Sequence, residues 1–185
     1  MSESSSATGV SLQASLPFAW CVEQQASATV LDLRRHGNIA VLRALAVIES
    51  TGPEREHDLP DGVQKSLDHL ESKLDLVLLL VAELTRAGTS LPSEKPVTLF
   101  SDHIVWIDKD DNAPMAGQHI LLSLYPSLRL PQPLQLSATV SNVDMQPGVS
   151  HISARFDELD DELGEWLTRT IFRYHRRALQ ARRQP

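Results

Sequence analysis

The sequence predicts an α+β protein in which six antiparallel β-strands form a small barrel. A long-helix, coiled-coil-like section is inserted after the first strand, and a helix closes the chain. Three observations support this fold class. One long segment repeats apolar residues every three or four positions, as a helix does. Five later segments have an apolar period of two and are separated by polar or proline-containing turns. The last segment is amphipathic at helical spacing.

The N-terminal residues are predicted to form a disordered arm that leads into the first strand. Residues 1–14 are rich in serine and other small polar side chains, which bury too little apolar area to offset the entropy of ordering. The segment 16–22 then places Phe18, Trp20 and Val22 at alternating positions, as a strand would. We therefore place the start of the folded domain at residue 15.

A helix is predicted after this strand. Asn38 is a candidate N-cap for residues 39–50, and the sequence Thr51-Gly-Pro would end that helix. The apolar residues of 30–33 suggest an earlier helix that breaks near Gly37.

The strongest periodic pattern lies between Asp61, which with Gln64 offers a capping box, and Gly88, a natural helix terminator. About 26 residues at 1.5 Å rise would form a rod of roughly 39 Å, which projects beyond a small domain. Its apolar residues are spaced alternately by four and three positions, an unbroken heptad pattern. The heptad residues are Val63, Leu67, Leu70, Leu74, Val77, Val81 and Leu84.

Two interpretations of the heptad pattern are open, packing on the same domain or self-association. A single amphipathic helix usually packs on its own domain. Here the pattern persists over three heptads, and Leu76 with residues 78–80 widens it beyond what one neighbouring helix can cover. Broad apolar faces favour assemblies of more than two helices. We therefore expect a homo-oligomer, from dimer to tetramer, that assembles through the heptad residues.

Five period-two segments follow, with no helical segment between them, which indicates an antiparallel sandwich or barrel. The segment 16–22 would supply a sixth strand. The helical section 28–90 is then an insertion for oligomerisation, and 91–185 holds the main barrel and the C-terminal helix. The five segments are 97–100, 104–107, 119–125, 134–143 and 149–156.

The C-terminal helix is predicted to begin near Asp157, and its charge changes sign along its length. Residues 157–165 include six acids, whereas 166–185 include six arginines and no acid. This polarity complements the helix dipole at both ends. Phosphate binding by these arginines is the alternative, but the other 165 residues carry 11 basic and 24 acidic side chains, a net charge of −13.

Charge and composition exclude several classes of function. A net charge of −7 and a pI near 5.4 argue against DNA, RNA or an anionic membrane as the main partner. The longest apolar run, 76–82, is too short to cross a bilayer, and no leader pattern is visible. We therefore expect a cytoplasmic protein without membrane insertion.

The residues that could carry out catalysis are scattered. Cys21 is the only cysteine, so neither an intramolecular disulfide nor a multi-cysteine metal site can form. The glycines occur singly, which excludes the common nucleotide-binding loops, and no histidine pair has the spacing of metal ligands on one helix face. We expect neither an enzyme nor a resident cofactor or metal.

With these elements in order, the sequence resembles the bacterial PilZ domain family. The segment Thr170-Ile-Phe-Arg-Tyr-His-Arg-Arg177 is similar to that family's terminal helix. The segment 97–101 resembles the strand that carries its Asp/Asn-x-Ser-x-x-Gly motif, and 117–124 resembles the strand after it. The inserted heptad helix is similar to an atypical, oligomeric branch with a multi-subunit helical bundle. The resemblance covers 15–183 and implies one PilZ-like domain over 15–185.

The resemblance also implies a ligand, since ordinary PilZ domains bind cyclic di-GMP through this motif and an Arg-x-x-x-Arg segment ahead of the barrel. Of the strand motif only Ser101 remains here, because Leu99 replaces the acid or amide and Ile104 replaces the glycine. No Arg-x-x-x-Arg precedes residue 97. Each lost charge-assisted contact is worth roughly 1.5–3 kcal/mol. The expected function is a bacterial signalling adaptor with a protein partner. The alternative is a cyclic di-GMP receptor that binds through Arg155 or Arg173.

Overall fold

The computed structural model describes residues 10–24, 26–50, 62–63, 66–67, 69–70, 72–74, 76–77, 80–81, 91–109, 113–127, 130, 132–157 and 159–183. Its strands are β1 (Leu12–Val22), β2 (Glu94–Leu99), β3 (His103–Asp108), β4 (His119–Leu124), β5 (Leu134–Gln146) and β6 (Val149–Phe156). The described residues between 62 and 81 are helical and are called α2. The other helices are α1 (Ala28–Ser50) and α3 (Asp161–Arg183).

The six strands form a closed barrel in the order β1-β2-β3-β6-β5-β4, with every neighbouring pair antiparallel. Strand β1 closes it by pairing with two neighbours along its length. Residues Leu12–Pro17 pair with β2, and Phe18–Val22 pair with β4. The predicted fold class, a six-stranded antiparallel barrel with helices inserted after the first strand, is confirmed.

The barrel interior is filled by the alternate residues of each strand. In β3 the buried and half-buried positions alternate along the whole strand, as the period-two pattern predicts. Trp106 is fully buried at its centre, and its ring lies 5.3 Å from that of Phe18 at an interplanar angle of 50°. This tilted geometry is favourable for aromatic pairs.

Helices α1 and α3 pack against each other and against the barrel, α1 on β5 and α3 on β1. Leu42 and Leu45 of α1 and Leu167 and Ile171 of α3 are buried in the same core cluster as the barrel side chains. The two helices therefore extend the core of the barrel. In the described parts of the chain, no helix combines the length and the apolar character needed to span a bilayer.

The first strand begins earlier than predicted. Strand β1 starts at Leu12, which is 7% exposed and pairs with Leu99, so residues 12–14 of the predicted disordered arm belong to the barrel. The reason is the pairing with β2, which no local sequence pattern reveals. Residues 1–9 lie outside the described residues.

The prediction of a helix capped at Asn38 is wrong, because α1 continues without a break from Ala28 to Ser50. The side chain near its N-terminus that acts as a cap is Ser27, whose Oγ accepts a hydrogen bond from the Val30 backbone N at 3.4 Å. Gly37 lies inside the helix, where a single glycine costs only about 1 kcal/mol.

Helix α3 begins four residues later than predicted, at Asp161. Asp160 is its N-cap, and one carboxylate oxygen accepts hydrogen bonds from the backbone N atoms of Glu162 at 3.0 Å and Leu163 at 3.1 Å. Asp157, the predicted start, instead accepts a hydrogen bond from Thr139 Oγ1 at 2.8 Å.

Candidate functional site

The strand motif of the PilZ family maps to β2, β3 and the bend between them. Leu99 and Ile104 are Cα partners in the β2–β3 ladder, and they are 4% and 0% exposed. Their side chains belong to the core cluster inside the barrel. Neither position therefore offers a polar group to a ligand on the barrel surface.

Ser101 lies in the exposed bend that joins β2 to β3. The next residue, Asp102, accepts a hydrogen bond from His103 Nδ1 at 2.7 Å and lies 3.7 Å from Arg155 Nη2 on β6. This hydrogen bond lowers the pKa of the Asp102 carboxyl below its usual value, against the opposing effect of partial burial. The His103 ring also stacks on Phe100, with centroids 4.1 Å apart.

The structure therefore brings two of the three predicted nucleotide-binding residues to the same end of the barrel. Arg155 is 75% exposed there, and the backbone N of Phe156 ties the end of β6 to the Asp102 carbonyl at 3.0 Å. Arg173 lies on a different element, α3, where its Nη2 donates to Thr170 Oγ1 at 3.1 Å. Asp102 thus links the two positions, since it follows Ser101 in the chain and lies 3.7 Å from Arg155, whereas Arg173 belongs to helix α3.

The second candidate site is the apolar seam of α2. Its described members are 43–61% exposed, although they are all leucine or valine. Leu76 and Leu80, beside the seam, are 55% and 49% exposed. Leu84, the last predicted member, lies outside the described residues. The exposed seam residues are Val63, Leu67, Leu70, Leu74, Val77 and Val81.

A cleft of about 1130 Å³, which sequence reasoning missed, lies where α1, β4, β5 and the start of α3 meet. Its two arginines are both engaged by carboxylates of this chain. Arg34 forms an ion pair with Glu23, and Arg35 Nε donates to Asp160 Oδ2 at 2.7 Å. The contact between Arg35 and Asp160 joins residues 125 positions apart, which no local pattern could have predicted.

The ion pair between Arg35 and Asp160 shifts the pKa values of its two members in opposite directions, and both shifts favour the charged forms. The hydrogen bond to Asp160 raises the pKa of Arg35, with burial opposing it, and the same bond lowers the pKa of Asp160. Arg35 Nη2 also donates to Glu162 Oε2 at 3.0 Å. Arg34 and Arg35 are thus already ion-paired with acids of this chain and are poorly placed to bind a phosphate. Among the residues that the structure describes, no group of three acidic, histidine or cysteine side chains could hold a metal ion.

A closed six-stranded antiparallel barrel, with helices inserted between its first two strands and a terminal helix packed on it, defines a PilZ-like domain. Residues 42–184 match the family model described as "Atypical PilZ domain, cyclic di-GMP receptor". The chain belongs to this family of atypical PilZ domains. The resemblance drawn from the sequence is confirmed.

One solved structure resembles nearly the whole chain. It is a pathogenic protein from Xanthomonas campestris, described as a tetrameric PilZ domain self-assembled via an unusual helical bundle. The identity is 28%, the match covers 94% of this chain and 92% of that one, and the TM-score is 0.76.

A second structure is more distant. The Bacillus subtilis inhibitor of motility, MotI/DgrA, is 14% identical over 47% of this chain and 42% of its own, with a TM-score of 0.38. None of the curated proteins matches the sequence.

Proposed function

We propose that this protein is a non-enzymatic adaptor of cyclic di-GMP signalling that self-associates through the α2 seam. The observation that carries the proposal is the exposure of the seam, where Leu70 and Leu74 are 61% and 60% exposed in the single chain. Covering apolar surface stabilises an assembly by roughly 25 cal/mol per Å². The Xanthomonas campestris relative, a tetramer built on a helical bundle, supports the same use of the seam here.

The width of the apolar face supports an assembly of more than two subunits. A strict two-stranded seam needs only the two core positions of each heptad. Leu76 and Leu80 add exposed apolar area beside those positions, at 55% and 49% exposure. A tetramer, the upper end of the range expected from the sequence, covers this face best.

The proposed adaptor lacks the residues through which ordinary PilZ domains bind the nucleotide. Leu99 and Ile104 are buried, and Arg34 and Arg35 are paired with acids of the same chain. The adaptor would then transmit its signal by binding a protein partner in the bacterial cytoplasm. A net charge of −7 favours a protein partner over DNA or RNA.

A cyclic di-GMP receptor is the second candidate. The description of the family as a receptor and the exposure of Arg155, at the same end of the barrel as Ser101, favour it. A guanidinium there could make a bidentate contact with a phosphate, with Ser101 as a neighbouring hydrogen-bonding group. Arg173 would have to contribute from α3.

The self-association is tested by replacing Leu74 with Glu and measuring molar mass by light scattering. The charge would have to be buried in the bundle, so the variant should form smaller species than the wild type. Leu33→Glu is the matched control, because Leu33 is 68% exposed on α1 and outside the seam. An unchanged mass for Leu74→Glu would contradict the proposal.

The two candidate functions are separated by calorimetry with cyclic di-GMP on the wild type and on Arg155→Ala. Absence of heat at micromolar ligand supports the adaptor. Saturable heat that Arg155→Ala abolishes supports the receptor. Lys109→Ala is the control, because Lys109 is an exposed cation just beyond the other end of β3.

A further inference from the structure

Helix α3 leaves the barrel surface in its last turns. Ile171 is buried, and His175 Nδ1 still donates a hydrogen bond to the Ser11 carbonyl oxygen at 3.2 Å. Residues 176–180 are all exposed, whichever face of the helix they occupy. A short helical segment that is exposed on all its faces is only marginally stable in water. Among the described residues, this end of α3 is therefore the part of the helix that is open to a surface outside the domain.

The charges of the chain are segregated, and the end of α3 holds a concentrated positive charge. Residues 172–183, which we call the α3 tail, include five arginines, one histidine and no acid. The other 173 residues carry 12 basic and 24 acidic side chains, a net charge of −12. At physiological ionic strength, charges are screened beyond about 8 Å. An anionic surface at the tail therefore meets the local positive charge and not the whole-chain charge of −7.

Two acids near the start of α3 are already neutralised within the chain. Glu165 accepts a hydrogen bond from Arg169 Nη2 at 2.5 Å. Glu162 accepts hydrogen bonds from Arg35 at 3.0 Å and from Arg43 at 2.9 Å. Ion pairing therefore reduces the repulsion that these two carboxylates exert on an anionic surface beside the tail.

Apolar side chains lie between the cations on one face of the tail. Positions 172, 176, 179 and 183 are spaced by four, three and four residues, so they fall on one line along the helix. This line lies on the side opposite Leu167, which is buried against the barrel. Phe172 and Leu179, its apolar members, are 54% and 43% exposed. The outward face of the tail is therefore both cationic and apolar.

We propose that the α3 tail docks on an anionic lipid surface. Phe172 and Leu179 enter the boundary between headgroups and acyl chains, and the arginines bind the lipid phosphates. Guanidinium groups bind phosphate oxygens bidentately, and their apolar stems lie along neighbouring apolar surface. Peripheral helices bind membranes through this combination of buried apolar area and attraction to anionic lipids. The protein then lies on the membrane and does not cross it.

A lipid surface fits the tail better than an acidic protein does. The exposed residues 176–180 form a projecting element, whereas side chains that anchor a specific protein interface are buried in well-packed pockets of the partner. Cationic and apolar positions alternate along a single line, as a layer of phosphates above a layer of acyl chains requires. The docking uses residues separate from the α2 seam.

Sedimentation of the full chain with lipid vesicles tests the proposal. The probe is vesicles of equimolar phosphatidylglycerol and phosphatidylcholine, and vesicles of phosphatidylcholine alone are the reference. We expect binding to the anionic vesicles only, and we expect it to weaken as salt is raised. One arginine near an anionic surface changes the partition coefficient about fivefold. Arg176→Glu changes the charge by two, so it should weaken binding about 25-fold.

A second variant and a matched control separate the tail from overall charge. Phe172→Ser removes an exposed apolar group and should weaken binding about fivefold. Lys109→Glu makes the same charge change as Arg176→Glu, at an exposed cation beyond the end of β3 remote from Leu12. It should leave binding within about twofold of the wild type, because that end of the barrel lies beyond the screening length from the tail. Circular dichroism and light scattering verify that each variant keeps its fold and its molar mass.

Failure of the wild type to bind the anionic vesicles would overturn the inference, and so would equal losses in Arg176→Glu and Lys109→Glu. Binding of the wild type to poly-glutamate but not to the vesicles, lost in Arg176→Glu, would assign the tail to an acidic protein instead. The α2 seam is tested by the molar mass of Leu74→Glu, which does not depend on lipid. The two proposals can therefore fail separately.

Discussion

Asn38 and Gln135 exchange two hydrogen bonds that join α1 to the start of β5. Asn38 Nδ2 donates to the Gln135 carbonyl oxygen at 2.6 Å, and the Gln135 backbone N donates to Asn38 Oδ1 at 2.8 Å. Strand β5 pairs with β6 only from Ala138 onward. The side-chain amide of Asn38 thus takes the place of β6 as the hydrogen-bonding partner of β5 at Gln135, where the β5–β6 ladder has not yet begun.

Replacing Asn38 with Leu should destabilise the protein by about 3 kcal/mol, because a backbone donor and acceptor lose their partners beside a residue that is only 4% exposed. Urea denaturation gives the free energy of unfolding. His36→Leu is the matched control, since His36 lies two residues before Asn38 in α1 and its side chain is 66% exposed. Equal losses in the two variants would refute the role of the amide.

Replacing Asp160 with Ala should destabilise by about 1 kcal/mol at neutral pH, through loss of the α3 cap. Arg35 holds the pKa of Asp160 below its ordinary value of 3.8, so the ionised carboxylate stabilises the fold above pH 3.8. That contribution disappears as the pH falls through the folded pKa. The difference between wild type and variant should therefore be constant near neutrality and shrink below pH 3.8.

Unfolding measured across this pH range is the check, with Asp161→Ala as the control. Asp161 is the exposed neighbour in the first turn of α3 and shares the same helix dipole. A difference that widens on acidification would contradict the assigned direction of the pKa.

Placing the family's amide back at position 99 should weaken the fold. Leu99→Asn removes a buried apolar side chain and places a polar one inside the barrel, so we expect a loss of about 3–5 kcal/mol. Ser101→Asn, in the exposed bend two residues later, should change stability by less than about 0.5 kcal/mol. Thermal and urea unfolding compare the two. Leu99→Asn with wild-type stability would mean that position 99 does not face the core.

Lys95 and Asp108 form a largely buried ion pair between β2 and β3, with 2.5 Å between Nζ and Oδ2 and side-chain exposures of 15% and 2%. Asp108→Ala should cost about 3–5 kcal/mol, because it leaves the ammonium group without this partner. The double variant Lys95→Met/Asp108→Leu should recover most of that loss. A double variant as unstable as Asp108→Ala would show that the fold requires charged side chains at both positions.

The strands were predictable because buried and exposed positions alternate along them. In β3 the pattern of residues 104–107 fixes which side chains face the barrel interior. The end of β5 was missed, since the last residues before Gln146 are exposed and are held by backbone pairing with β6. The Pro147-Gly148 turn was visible, and Gly148 has the positive φ of 78° that favours glycine.

The sites were less predictable, because their contacts join distant parts of the chain. Asn38 has the residue type of a cap, but its partner is 97 positions away in β5. The buried positions of Leu99 and Ile104 follow from strand register, which a motif comparison does not contain.

The two-sided pairing of β1 sets the order in which the protein can fold. Residues 23–93 separate Val22 from Glu94, and closing a loop of that length costs roughly 4 kcal/mol of chain entropy. Strand β1 also needs β4, whose Leu124 pairs with Phe18. Strand β1, which is synthesised before the other five strands of the barrel, must therefore wait for much of the remaining domain. We expect its insertion to be the slow, late step, before which the sheet formed by the other strands has two open edges.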